Sequence, residues 1–142
     1  MTAVSRVGLC GVRDALKVAG LRPTRQRLAL GQLLFDGHGR HITAERLYEE
    51  ALRAKIPVSL ATVYNTLNQF TSAGLLREIA LDGARTTYDT NTSHHHHFVD
   101  EDTNEVCDIP ANAVQINALP EAPEGMEIAR VDVVVRLRAK PN

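Results

Sequence analysis

Apolar positions recur at helical intervals as far as Gly74 and in strand-like alternation beyond it. Val12 to Ala19 predicts a short amphipathic helix, broken by the glycine and proline of "GLRPT". Thr24 then offers an N-cap for a second helix, "RQRLALGQLLF", whose Leu28, Leu30, Leu33 and Leu34 lie mostly on one side. "DGHGRH", from Asp36 to His41, reads as a turn. Thr43 is the next N-cap candidate, with Arg46 where a capping box would place Glu or Gln. The helix after it, "AERLYEEALRA", is expected to turn Leu47, Ala51 and Leu52 inward. Ser59 caps a further helix, "LATVYNTLNQFTSAG", which ends at Gly74.

This last helix carries two unlike faces. Leu60, Val63, Leu67 and Phe70 form an apolar stripe. The other face holds Ala61, Thr62, Asn65, Asn68, Gln69 and Ser72, with no charge and short hydrogen-bonding side chains. Such a face can enter a major groove and read base edges. It could also be a plain solvated surface, although solvated faces are usually rich in Lys and Glu, and this one has neither.

Beyond Gly74, "LLREIAL" and "ARTTYD" read as two short strands joined by Asp82-Gly83, a hairpin-turn dipeptide. Helices followed by a hairpin predict a winged helix. Arg77 and Arg85 near its wing could meet a phosphate backbone. The last third predicts a strand at "NEVCDI", a short helix at "PANAVQINAL" with Pro110 at its first position, and a loop at "PEAPEG". A long strand follows at "MEIARVDVVVRLRA", with Val131, Val133, Val135 and Leu137 alternating on one face. The fold class is therefore α+β. A winged helix over 1–90 precedes a small α/β domain over 91–142. So small a second unit buries little alone, and pairing with a second copy is the usual remedy.

Charge sharpens this division. Up to Tyr88 there are 12 Lys and Arg against 7 Asp and Glu; from Asp89 onward there are 4 against 10. A basic first part suits a polyanion and an acidic second part suits a cation. No apolar run is long enough for a transmembrane helix, and the first twenty residues lack the apolar core of a signal peptide, so a cytoplasmic location is expected. Two cysteines, Cys10 and Cys107, make neither a disulfide scaffold nor a CxxC knuckle.

Four of the six histidines stand together at His94–His97. The cluster lies inside the chain, which argues against a purification tag. In an extended segment His95 and His97 point to one side and His94 and His96 to the other. Asp89, Asp108 and His41 are the further donors within reach. Three histidines and two carboxylates suit Mn²⁺, Fe²⁺ or Zn²⁺. A mobile polar loop is the bland alternative. An enzyme centre is not expected, because no nucleophile motif or nucleotide-binding loop accompanies the set.

In order and spacing, "GLRPTRQRLALGQLL", "HITAERLYEEA", "SLATVYNTLNQFTSAGLLRE", "TTYD" and "HHHHFVD" resemble the ferric uptake regulator superfamily. Within it, the chain looks most like the iron response regulators, a haem-responsive branch. The resemblance implies a homodimeric repressor or activator that binds double-stranded DNA, with higher oligomers left open, and is not an enzyme. It places the regulatory metal on His41, Asp89, His95, His97 and Asp108. It places the DNA-reading tyrosine on Tyr64, within Ala61, Thr62, Tyr64 and Asn65, and a minor-groove residue on Arg22.

There are departures from the family pattern. Asn65 replaces the arginine that usually follows the tyrosine. Asp100 and Thr103 stand where the family has a zinc-binding cysteine pair, so no structural zinc held by four cysteines is expected. Gln115 and Val131 stand at positions that normally complete a second cation site, which releases His94 and His96. No Cys-Pro haem motif is present, so haem, as a regulatory cofactor, would use His94, His95 and His96. The expectation is an iron- and haem-responsive regulator whose grip on DNA haem weakens. The alternative is an Fe²⁺ or Mn²⁺ metal or peroxide sensor of the same superfamily.

Overall fold

Three helices begin at the caps that the sequence marks. Thr24, Thr43 and Ser59 each have extended backbone, and each side-chain oxygen accepts an N–H three residues on, from Arg27 (3.3 Å), Arg46 (3.2 Å) and Thr62 (3.1 Å). The helices that follow are α2 (Arg25–Leu34), α3 (Ala44–Arg53) and α4 (Leu60–Ser72). Ahead of them, α1 (Ala3–Val18) reaches further toward the N-terminus than expected and is broken at Gly11, where φ is +77°. A computed structural model describes residues 3–79 and 85–141. The chain divides into two compact units, Met1–Ser93 and His94–Asn142.

In the first unit the apolar stripes of the four helices meet. Leu16, Leu30, Leu34, Leu47, Ala51, Val63, Leu67 and Phe70 have no exposed surface. Gly31 makes this packing possible, because a Cβ there would lie 2.6 Å from Val12 Cγ1. Leu52 corrects the sequence reading: it is 54% exposed. At 3.6 residues per turn it sits about 140° around α3 from Leu47, off the buried stripe.

A three-stranded antiparallel sheet closes the unit, in the order β1 (His41–Thr43), β3 (Thr87–Asp89), β2 (Arg77–Ile79). Strands β2 and β3 are the expected wing strands; their Asp82-Gly83 turn lies outside the described residues. Strand β1 was not expected, since the sequence read a turn running into a cap. Three residues are too few to show a period. Distant bonds hold β1 in line: Thr90 N–H donates to the Arg40 carbonyl (3.0 Å), and Arg40 N–H donates to Thr90 Oγ1 (2.8 Å).

The second unit is one sheet in the order β5 (Val106–Pro110), β4 (His95–Asp100), β6 (Val134–Leu137), with β6 parallel to β4. Two expectations fail here. The predicted helix from Pro110 shrinks to a single 3-10 turn, Ala111–Ala113, and Pro110 itself ends β5. The predicted long strand keeps only Val134–Leu137, and Leu137 is exposed. Ile116, Leu119, Met126 and Ile128 are exposed as well. With these side chains exposed, so short a helix lacks the buried face it needs to form.

The β4–β5 turn is tied by its own side chains. Asp100 Oδ1 accepts the N–H groups of Asp102 (2.8 Å) and Thr103 (3.2 Å), and Thr103 Oγ1 accepts that of Glu105 (3.2 Å). Among the described residues no helix is long and apolar enough to cross a membrane.

Candidate functional site

Each unit brings histidine and carboxylate together by strand register. In the first, β1 and β3 pair His41 with Asp89, and His41 Nε2 lies 3.3 Å from Asp89 Oδ2. Asp89 is fully buried, and its other oxygen accepts the Asn91 N–H at 2.9 Å. That bond leaves Oδ2 aimed at the imidazole.

In the second unit, pleating puts His95 and His97 on one side of β4, with ring centroids 4.5 Å apart. The register sets His97 opposite Asp108 on β5. Both Nε2 atoms converge on one oxygen, Asp108 Oδ1, at 3.3 Å from His95 and 3.5 Å from His97. Two imidazole nitrogens and a carboxylate oxygen aimed at one small volume form a mixed N/O donor set suited to a borderline divalent cation. Asp108 is exposed, whereas both histidines are buried.

The other pair differs. His94 is exposed, while His96 is 1% exposed and its Nδ1 accepts the Val133 N–H at 3.1 Å. The three residues expected to bind haem are thus divided. His94 and His96 share one side of β4, with centroids 5.1 Å apart, and His95 faces the other. His96 is covered by the backbone beside β6.

On α4, Ala61 and Asn65 are exposed and Thr62 bonds Ser59. Other members of the polar face are already engaged. Gln69 Oε1 accepts from Arg27 Nε (3.3 Å) and Nη2 (3.0 Å), and Asn68 Oδ1 accepts from the Tyr88 hydroxyl (2.9 Å). Arg27 Nη1 donates to the carbonyl of exposed Arg22 at 2.8 Å. Arg27 therefore ties the segment before α2 to α4. Two hollows lie along this face. One of about 500 Å³ includes Leu21, Asn68, Ser72 and Ala73; one of about 210 Å³ includes Thr24, Arg27 and Thr62; Asn65 and Gln69 line both.

The Tyr64 hydroxyl donates to Glu45 Oε1 in the first turn of α3. That bond holds the Glu45 carboxyl below its ordinary range and pushes the Tyr64 phenol up. Sequence reasoning missed Glu45 and Arg27. No local signal marks Glu45, because its partner is nineteen positions away. Arg27 carried only a weak cue, a cation one turn from a cap.

Comparison with known proteins gives a consistent result. The profile of the family described as "Ferric uptake regulator family" matches residues 18–136. A ferric uptake regulation protein of Vibrio cholerae is 36% identical over 103 residues, covering 72% of this chain and 69% of its own. One from Pseudomonas fluorescens is 37% identical over 101 residues, covering 70% and 82%. Among solved structures, the ferric uptake regulator of Pseudomonas aeruginosa with manganese superposes with a TM-score of 0.72 at 29% identity, covering 92% of this chain and 98% of that one. The Vibrio cholerae regulator superposes with a TM-score of 0.69 at 26% identity, covering 89% and 98%.

Proposed function

The chain belongs to the ferric uptake regulator family, whose members are transcription regulators and not enzymes, and from that premise we propose that it is a cytoplasmic, divalent-metal-responsive regulator that binds double-stranded DNA as a homodimer. The observation that carries this reading is the convergence of His95 and His97 on one oxygen of Asp108. We assign His41 and Asp89 to the same ion. Three donors from the second unit fall short of the four to six that Zn²⁺, Mn²⁺ or Fe²⁺ takes. The Pseudomonas aeruginosa relative, solved with manganese, supports a divalent ion of this class.

The DNA-reading residues in this proposal are Ala61, Thr62, Tyr64 and Asn65 on α4, with Arg22 beside the backbone or minor groove. The exposed Ile116, Leu119, Met126 and Ile128 support a second copy as partner. A haem response through His94, His95 and His96 is the narrower reading. Its support is exposed His94 alone, since His95 and His96 are buried.

The test is duplex binding by fluorescence anisotropy, with and without Mn²⁺, on sites selected from a randomised pool. Metal should tighten binding at least about tenfold, a coupling within the usual allosteric range. His97→Ala should abolish that dependence, and protons should compete with the ion, because metal ligands must be deprotonated. Metal-independent binding by the intact protein would overturn the metal reading. Release from DNA by haem, lost in a variant with His94, His95 and His96 all changed to Ala, would establish the haem reading in its place.

A further inference from the structure

We propose that Glu45 sets the base preference of Tyr64, by taking the phenol's only proton so that the hydroxyl presents acceptor lone pairs alone to the major groove. The inference rests on the DNA-binding reading above and names a specificity residue within it.

The polarity of this bond is fixed by elementary chemistry. A carboxylate is an acceptor only, so in the Tyr64–Glu45 pair the phenol must donate. A glutamate is ionised at neutral pH, and the bond to Tyr64 holds the Glu45 carboxyl below its ordinary range. A phenol has one hydrogen, so whatever else Tyr64 meets can only be a donor. In the major groove the donors are the exocyclic amines of adenine (N6) and cytosine (N4). Guanine and the thymine carbonyl present acceptors there, and these would face both the phenol lone pairs and the Glu45 charge. The preference thus has two causes with one sign.

The position suits the role. Tyr64 is half-buried in the first turns of α4, between Ala61 and Asn65, both exposed. Glu45 is half-buried on α3, anchored by a helix whose Leu47 and Ala51 have no exposed surface. The carboxylate thus reaches Tyr64 from the neighbouring helix α3, and Tyr64 keeps part of its surface open to a partner. Arg85 is the cation whose charge acts on both groups.

The experiment is selection of duplexes from a randomised pool, with Mn²⁺ present, by the full-length protein and three variants. The intact protein should favour an amine-bearing base at one position per half-site by about tenfold, typical of one good base contact. Tyr64→Phe should reduce that preference below about twofold, since no hydroxyl remains. Glu45→Ala should free the proton and turn the preference toward acceptor-bearing bases. Glu45→Gln should keep the amine preference, because its amide oxygen still accepts from the phenol. A Glu45→Ala profile identical to that of the intact protein, with only a uniform loss of affinity, would overturn the role of Glu45 and leave the DNA-binding reading standing. Absence of any enrichment by the intact protein would overturn both.

Discussion

The two units solve the problem of burial differently. The first, Met1–Ser93, encloses a continuous apolar core contributed by four helices, by Phe35, Leu75 and Leu76 just beyond helix ends, and by Ile42 and Tyr88 of the sheet. In the second, Val99 and Ile109 are the buried apolar side chains among the described residues, and His95, His96 and His97 are buried beside them. One unit is closed by hydrophobic packing. The other buries imidazoles and leaves Ile116, Leu119, Met126 and Ile128 in water. Stability in the first is a property of one chain. In the second, the buried apolar surface is small, and the proposed metal and second copy are what would add to it.

The contrast is sharpest in the core of the first unit. Phe70→Ala should destabilise the protein by about 3–5 kcal/mol, the usual cost of emptying a fully buried aromatic site, read as a shift of the urea midpoint by far-UV circular dichroism. A shift no larger than that of a surface change would break the comparison, since Phe70 has no exposed surface.

Next in size is a polar contribution in the same unit. Arg40 donates to both oxygens of Glu50, at 3.0 Å and 2.6 Å, and to the Leu33 carbonyl at 2.9 Å. Glu50→Gln should cost about 1.5–3 kcal/mol, the range for hydrogen bonds to charged groups. The Arg40 bond holds the Glu50 carboxyl below its ordinary 4.5. Its stabilisation is therefore complete above pH 4.5 and is lost as pH falls through the lower folded value. Thermal melts against pH should show this acid limb in the intact protein and a flatter one in Glu50→Gln.

Ser59→Ala should cost about 1 kcal/mol by removing the α4 cap. Because α4 is also the proposed reading helix, duplex affinity should drop with it; thermal melts read the first effect and an anisotropy titration the second. The smallest effect on monomer stability belongs to the second unit. Leu119→Ser should lie within about 0.5 kcal/mol, since an exposed side chain loses little. Yet it should weaken self-association in sedimentation equilibrium. A large loss of stability with unchanged association would mean that Leu119 serves a core of its own chain.

The same contrast explains what the sequence revealed. Helices α2, α3 and α4 were legible because Thr24, Thr43 and Ser59 act on residues three positions away. Strand β1 was not, because Thr90 holds it from far along the chain. The segment 111–133 misled because its apolar side chains Ile116, Leu119, Met126 and Ile128 are exposed, so no buried face supports a helix there. At the site, pleating made the His95 and His97 pairing readable. Asp108 was already a candidate donor in the sequence; that one of its oxygens meets both rings follows from the register of β4 and β5. The Glu45–Tyr64 bond joins two helices whose packing no local pattern announces.

Parallel pairing of β6 with β4 also orders events in time. Neighbouring antiparallel strands such as β4 and β5 can zip from their turn, but β6 must wait for the segment 111–133 to close into a loop. As a chain leaves the ribosome from its N-terminus, the four helices can consolidate while Val134–Leu137 is still being made. Until that loop closes, the Val133 N–H has not reached His96 Nδ1, and β4 lacks its β6 neighbour.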